Sequence, residues 1–103
     1  MAVTKTILLV DDDNELREAL AEQFDLYEGF GVIQAENATQ GVKLAESERT
    51  DLILLDVDMP DMDGREACKL MRNRGVRAPI IMLTGQDSDA DTILGLDSGA
   101  NDY

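Results

Sequence analysis

The sequence predicts an α/β fold in which helices cover both faces of one parallel sheet. Four short apolar runs alternate along the chain with segments whose apolar residues recur every three or four positions. Three of these runs are continuous rather than alternating, which is typical of strands buried on both faces. Buried strands that alternate with helices indicate crossover connections within a parallel sheet. Because no repeat or linker interrupts the pattern, we assign residues 1–103 to one domain.

The four strands are predicted from the apolar runs. Residues 7–10, 52–55 and 80–83 are continuous apolar segments, and Pro79 immediately precedes the last of them. Residues 31–35 form a weaker run. Each run is followed by a polar or acidic residue. Together with the helical segments between and after these runs, the predicted order along the chain is β-α-β-α-β-α-β-α.

The four helices are predicted between and after these runs. Asp13 and Asn37 are favourable N-cap residues for the first and second helices. The third helix is expected between residues 64 and 74, and the fourth from about residue 87 to Gly99. The residues expected to form their buried faces are Leu16, Ala19, Leu20, Phe24 and Tyr27; Ala38, Val42 and Ala45; Ala67, Leu70 and Met71; and Ala90, Ile93, Leu94 and Leu96.

The composition excludes several classes of function. The chain has 22 acidic and 9 basic residues and a net charge of −13, which argues against direct contact with nucleic acid. The absence of histidine excludes imidazole catalysis and His-ligated zinc, and one cysteine excludes an internal disulfide. The apolar runs are too short to span a bilayer, and the N-terminus has no signal-peptide pattern. We therefore expect a cytoplasmic protein without a membrane partner.

Acidic residues follow two of the predicted strands. Residues 11–13 are three aspartates after the first strand, Asp56 and Asp58 follow the third, and Thr84 follows the fourth. The carboxyl ends of parallel strands meet at one edge of the sheet, where such folds bind ligands. Converging carboxylates repel one another unless a cation joins them, and Mg²⁺ suits oxygen ligands. The sequence thus predicts a Mg²⁺ site with a carboxylate nucleophile and a hydroxyl, as aspartyl-phosphate formation requires. Asp13 is expected to cap the first helix instead.

Three motifs together resemble the receiver domain of two-component response regulators. They are ILLVDDD at residues 7–13, LLDVDMPDMDG at 54–64 and IMLTG at 81–85, in the order and at the separations of that family. The resemblance implies a flavodoxin-like, doubly wound parallel sheet with strand order 2-1-3-4-(5). It also implies that the chain stops before the last strand and helix of that fold are complete.

The resemblance assigns roles to individual residues. Asp56 matches the phospho-acceptor, Asp12 the direct Mg²⁺ ligand, and Asp11 a ligand that acts mainly through water. The backbone carbonyl of Asp58 matches the third protein ligand of the metal. Thr84 matches the hydroxyl that turns toward the phosphoryl group.

Further roles follow from the same resemblance. Tyr103 matches the aromatic switch residue, which moves together with Thr84, and Asp58 and Gln86 match positions that tune dephosphorylation. The lysine that pairs with the phosphoryl group in the family would lie three residues after Tyr103, a position that this 103-residue sequence does not include. Phosphorylation of this chain is therefore expected to be weakened. The phosphoryl donor would be a phosphohistidine on a sensor histidine kinase.

The type of output is predicted from residues 91–103, which resemble the fourth-helix region of OmpR/PhoB-type transcription factors. That resemblance implies dimerisation and contact with DNA only through a separate effector domain. A stand-alone receiver is the alternative within the family. The Asp56-x-Asp58 pair also resembles haloacid-dehalogenase-type phosphatases, although Asp11 and Asp12 have no place in that motif. Because an incomplete sheet exposes an edge strand, we also expect this chain to self-associate.

Overall fold

The computed structural model describes residues 5–83, which form a parallel sheet flanked by helices. The fourth predicted helix and three predicted site residues (Thr84, Gln86 and Tyr103) lie outside this range. The elements follow the predicted alternation: β1 (Lys5–Val10), α1 (Asn14–Asp25), β2 (Phe30–Ala35), α2 (Ala38–Ser47), β3 (Leu52–Asp56), α3 (Gly64–Asn73) and β4 (Ile80–Leu83). No helix within this range is long and apolar enough to cross a membrane.

The four strands form one sheet in the order β2-β1-β3-β4, and every pairing is parallel. The predicted order 2-1-3-4 is confirmed. In the register, Val10 of β1 lies beside Leu55 of β3, so Asp11 and Asp56, the residues that come next in the sequence, lie beside each other. The order places β1 and β3 at the centre, which explains why their sequences are continuously apolar.

Helices cover both faces of the sheet, as the doubly wound fold requires. Successive side chains of a strand point to opposite faces. Leu8 and Val10 accordingly pack in a core with residues of α2 and α3, whereas Ile7 and Leu9 pack in a second core with Ala21 of α1. The apolar residues of β1 therefore supply both cores.

The approach of α2 to the sheet is unusually close. A Cβ atom on Gly41 would lie 2.7 Å from Cγ1 of Val10, which is too short for a carbon–carbon contact. A glycine at this position lets the helix backbone lie directly against the last residue of β1. This close packing also helps to fix the end of β1.

The apolar face predicted for α1 is only partly correct. Leu20 and Phe24 are half-buried, but the other three predicted residues are exposed: Leu16, Ala19 and Tyr27. The helix ends at Asp25, before Tyr27. The buried residues of α1 are instead Arg17 and Ala21. Apolar spacing could not identify this face, because one of its two buried residues is a charged arginine.

Side chains cap the helices as the sequence predicts. The carboxylate of Asp13 accepts a hydrogen bond from the N–H of Leu16 at 3.1 Å, and Asn37 accepts one from the N–H of Gln40 at 2.8 Å. These bonds satisfy donors that the first turn of a helix leaves free. Asp13 thus has the capping role expected for it.

Candidate functional site

The structure brings three carboxylates together at the carboxyl end of the sheet. Asp11 and Asp12 follow β1, and Asp56 is the last residue of the neighbouring strand β3. One carboxylate oxygen from each lies within 4.8 Å of the other two. The parallel pairing of β1 and β3 explains this cluster, because both strands end at the same edge.

The three carboxylates lie in an open cleft with a volume of about 550 Å³. One part of its wall is acidic and another part is formed by leucines. The lining residues are Asp11, Asp12, Asp13, Asp56 and Asp58 on the acidic side, with Leu16, Leu20 and Leu83 completing the wall. The aspartates therefore lie beside apolar side chains. This lowers the local dielectric constant, so the repulsion between the carboxylates is stronger than it would be in bulk water.

Asp11 is the most buried acid of the cleft, with 5% of its surface exposed. Its Oδ1 accepts a hydrogen bond from the N–H of Asp13 at 2.9 Å. Burial raises the pKa of Asp11, and the charges of Asp12 and Asp13 raise it further, while the Asp13 N–H and the Arg17 charge partly oppose this. The side chain is thus held in place although its ionised form is disfavoured.

Asp56 is half-buried, and its carboxyl group is strongly perturbed. Burial, followed by the charge of Asp11, raises its pKa from 3.8 to about 7. A hydrogen bond with the carboxyl group of Asp12 contributes in the same direction, while the N–H of Asp58 opposes it from 3.3 Å. Without a cation, this carboxyl group therefore holds a proton close to neutral pH. A perturbed carboxyl group in a cleft is a candidate for a functional role.

The ligand set of the cluster suits a hard divalent cation. The three clustered groups offer carboxylate oxygens only, and Mg²⁺ prefers such oxygens and retains waters as further ligands. A bound cation would relieve the repulsion that raises the pKa of Asp56. The cleft is open to solvent, which leaves room for water and for a ligand beside the cation.

The β3–α3 loop (residues 57–63) is held by backbone contacts. The N–H of Val57 donates to the carbonyl of Leu83 at 3.0 Å, and the N–H of Gly64 donates to the carbonyl of Val57 at 2.8 Å. A Cβ on Gly64 would overlap the backbone oxygen of Asp56 and lie 2.8 Å from Cα of Val57. Only glycine permits this approach, so Gly64 fixes the backbone that carries Asp56.

Two acids of this loop lie outside the carboxylate cluster and cap helices. Asp63 accepts the N–H of Arg65 at 2.8 Å at the start of α3. Asp61 crosses to the start of α2, where it accepts the N–H of Ala38 at 3.0 Å. The sequence indicated no role for Asp61, because its partners lie in another helix. Asp58 remains exposed at the rim of the cleft.

A second residue with an unrecognised role is Arg17. An arginine on a helix is usually exposed, but this side chain is buried and donates to the backbone oxygen of Asp11 at 2.7 Å. One signal was available. An arginine six residues after Asp11, one turn into a helix, can turn back toward the end of the preceding strand.

Comparisons with known proteins agree with this geometry. A family model described as the response regulator receiver domain matches residues 7–103. The alkaline phosphatase synthesis transcriptional regulatory protein PhoP of Bacillus subtilis is 43% identical over 102 residues, which are 98% of this chain and 42% of that protein. The chain therefore spans about two fifths of the length of this curated relative.

Solved structures give the same result. A CheY-like response regulator receiver domain protein from Methanospirillum hungatei is 33% identical, with a TM-score of 0.86 over 96% of this chain and 78% of that one. A response regulator protein from Burkholderia pseudomallei is 28% identical, with a TM-score of 0.88 over 96% of this chain and 58% of that one. The Burkholderia structure contains a phosphorylated aspartic acid, a calcium ion and citrate.

Proposed function

Because the chain belongs to the response regulator receiver domain family of two-component systems, we propose that Asp56 accepts a phosphoryl group from a sensor histidine kinase. The observation that carries the proposal is the cluster of Asp56 with Asp11 and Asp12 at the ends of two adjacent strands. The domain would comprise residues 1–103, and the phosphorylated aspartate would switch an output.

A Mg²⁺ ion fits this cluster. Asp12 would bind it directly, Asp11 mainly through water, and Asp56 and the backbone carbonyl of Asp58 would complete the protein ligands. When bound, Mg²⁺ supplies positive charge that offsets the charge on the phosphoryl oxygens. The calcium ion and phosphorylated aspartic acid in the Burkholderia protein support a cation beside an acceptor aspartate.

The chain's own residues would act as nucleophile and as positioning groups. An ionised oxygen of Asp56 attacks the phosphorus, so that an O–P bond forms while the N–P bond of the donor phosphohistidine breaks. The bonding electron pair leaves with the imidazole nitrogen. Because phosphoryl transfer has a loose transition state, positioning and charge stabilisation dominate its catalysis. In this proposal, the Thr84 hydroxyl and backbone N–H groups near Asp58 and Gly85 donate hydrogen bonds to the phosphoryl oxygens.

The proposal makes the protein a switch rather than a turnover enzyme. Asp58 and Gln86 each lie two residues after a proposed contact of the phosphoryl group, Asp56 and Thr84. From these positions they would flank the approach of the hydrolytic water. Replacing both with alanine is expected to change the dephosphorylation rate several-fold while phosphorylation persists. An unchanged rate would remove this role from the two residues.

The proposed output is control of transcription in the cytoplasm. The similarity to PhoP, whose name describes a transcriptional regulatory protein, supports an OmpR/PhoB-type output. DNA would be contacted by a separate effector domain, since this chain carries a net charge of −13. Phosphorylation would favour a dimer, with Tyr103 as the switch residue that follows Thr84. A stand-alone receiver remains the alternative, and attachment of a DNA-binding domain in the intact gene distinguishes the two.

The experiment that tests phosphorylation uses a small-molecule donor. The protein is incubated with Mg²⁺ and acetyl phosphate, and its intact mass is measured. We expect one phosphoryl adduct on the parent protein and none on Asp56→Asn. A full adduct on the variant would refute the assignment. The haloacid-dehalogenase alternative instead predicts continuous hydrolysis of phosphate esters that is lost in Asp58→Asn.

A further inference from the structure

Arg17 is a buried cation directly behind the acidic cleft. Only 9% of its surface is exposed, and its three guanidinium nitrogens each donate a hydrogen bond. Nη1 donates to the backbone oxygen of Asp11 at 2.7 Å, Nε to Oε1 of Gln34 at 2.9 Å, and Nη2 to Oδ1 of Asn14 at 2.7 Å. The side chain thus joins the end of β1 to β2 and to the first turn of α1.

All three acceptors are neutral oxygens. Within residues 5–83, Arg17 forms no ion pair with a carboxylate, whereas Arg65 and Arg74 each form one at the surface. Burial of a guanidinium group costs folding free energy. The cost is reduced when all of its N–H donors are hydrogen-bonded and a negative charge lies nearby. All three donors are satisfied here, and the Arg17 charge acts to lower the pKa of Asp11, although it is the smallest of the influences on that group. Arg17 is therefore coupled to the acidic cleft through Asp11.

We propose that Arg17 is a positioning residue that holds Asp11 in the orientation required to bind Mg²⁺. The inference rests on the Mg²⁺ site of the proposed function. Its physical basis is that groups hydrogen-bonded to metal ligands orient those ligands, and that their loss typically weakens metal binding by roughly 10- to 100-fold. Here the contact is to the Asp11 backbone, immediately beside the carboxylate that lines the cleft.

The positioning role and the charge of Arg17 predict opposite effects on metal affinity. If the positive charge alone mattered, its removal would make the cleft more negative and would strengthen Mg²⁺ binding. If positioning dominates, loss of the hydrogen bond from Nη1 of Arg17 loosens the backbone at Asp11 and weakens Mg²⁺ binding. The direction of the change therefore separates the two roles.

The test measures the Mg²⁺ dissociation constant by isothermal titration calorimetry at pH 8 and constant ionic strength. We expect Arg17→Met to bind Mg²⁺ at least about tenfold more weakly than the parent protein. Arg74→Met is the matched control, because it removes the same charge from an exposed ion pair with Glu46. The control is expected to bind as the parent does. Unchanged or tighter binding by Arg17→Met would overturn the proposal.

The conservative variant Arg17→Lys separates charge from hydrogen bonding. Lysine keeps the charge but lacks the planar fork that reaches three acceptors. We expect it to recover no more than part of the lost affinity. Full recovery would overturn the positioning role.

A second variant keeps the test valid if Arg17→Met does not fold, which urea unfolding of each protein reveals. The double change Asn14→Ala with Gln34→Ala leaves the arginine in place but removes both side-chain acceptors. A several-fold loss of Mg²⁺ affinity supports the proposal, and an unchanged affinity contradicts it. The parent protein and Asp12→Ala test the underlying site separately. If the parent binds no Mg²⁺, the proposed site fails together with this inference. If the parent binds and Arg17→Met binds equally well, only the inference fails.

Discussion

The carboxylate of Asp61 accepts two hydrogen bonds from Thr39, one from its N–H at 2.8 Å and one from its hydroxyl at 2.7 Å. A third bond comes from the N–H of Ala38. Asp61 belongs to the β3–α3 loop that begins after Asp56, whereas Thr39 lies in the first turn of α2. The loop beside the proposed acceptor is therefore anchored to a neighbouring helix.

The first prediction concerns this anchor. Asp61→Ala removes an acceptor from the N-terminus of α2, and we expect the free energy of unfolding to fall by about 1 kcal/mol, as for other lost caps. Urea unfolding at neutral pH measures the change. Glu22→Ala is the matched control, because Glu22 is an exposed acid in the last turn of α1. Equal stability of the Asp61 and Glu22 variants would show that the anchor contributes nothing.

The second prediction is a pH dependence of stability in the absence of metal. Burial and the charge of Asp11 raise the pKa of Asp56 from 3.8 to about 7. At pH values between 3.8 and about 7, the Asp56 carboxyl group is ionised in the unfolded chain but still protonated in the folded chain. The free energy of unfolding therefore falls as pH rises through this window, and the contribution is flat above it.

Urea unfolding in EDTA at several pH values measures this dependence. Asp56→Asn is expected to lose much of the decline, because its amide does not titrate. Asp25→Asn, which changes an exposed acid at the end of α1, is expected to keep it. Parallel curves for the parent protein and Asp56→Asn would refute the prediction.

The third prediction concerns Gly64. A Cβ at this position overlaps the backbone oxygen of Asp56, so Gly64→Ala is expected to displace the loop and to lower stability by about 1–3 kcal/mol. It is also expected to slow phosphorylation by acetyl phosphate. Gly75→Ala is a suitable comparison, because Gly75 has a φ of +88° and no atom within 4 Å of its added Cβ. That change strains the backbone but leaves the cleft intact, so its phosphorylation rate is expected to match the parent's. Equal rates for both glycine variants would contradict the proposed role of the close approach.

The fourth prediction concerns binding of Mg²⁺ to the folded state. A cation that binds only the folded protein raises its melting temperature as the cation concentration increases. We expect this rise for the parent protein and its near loss in Asp12→Ala. Asp13→Ala loses the α1 cap and is expected to melt at a lower temperature, yet to retain the Mg²⁺ response. A parental response in Asp12→Ala would exclude Asp12 as a ligand.

The sequence predicts the sheet well because the pattern that encodes it is local. Apolar runs reveal buried strands directly, and once the strands are parallel, the residues after β1 and β3 must share an edge. The meeting of Asp11, Asp12 and Asp56 therefore follows from the order of the strands and the positions of the acids along the chain. The assignment of individual roles to them comes from the family resemblance.

The role of Asp61 could not be obtained in this way, and the spacing of Arg17 from Asp11 indicates only part of the role of Arg17. Asp61 contacts a residue 22 positions earlier, and Arg17 contacts Gln34, 17 positions later. Such contacts depend on how separate elements pack, which local spacing does not encode. The same limit explains the error in α1, where periodicity placed Leu16 on the buried face although 47% of its surface is exposed.

Direct mapping of the modified residue tests whether Asp56 carries the phosphoryl group. The protein is treated with Mg²⁺ and acetyl phosphate, and borohydride then reduces the aspartyl phosphate to homoserine. Trypsin releases the peptide at residues 50–65, which is analysed by tandem mass spectrometry. This peptide contains five aspartates: Asp51, Asp56, Asp58, Asp61 and Asp63. We expect homoserine at position 56 alone, and homoserine at any of the other four positions would contradict the assignment of Asp56.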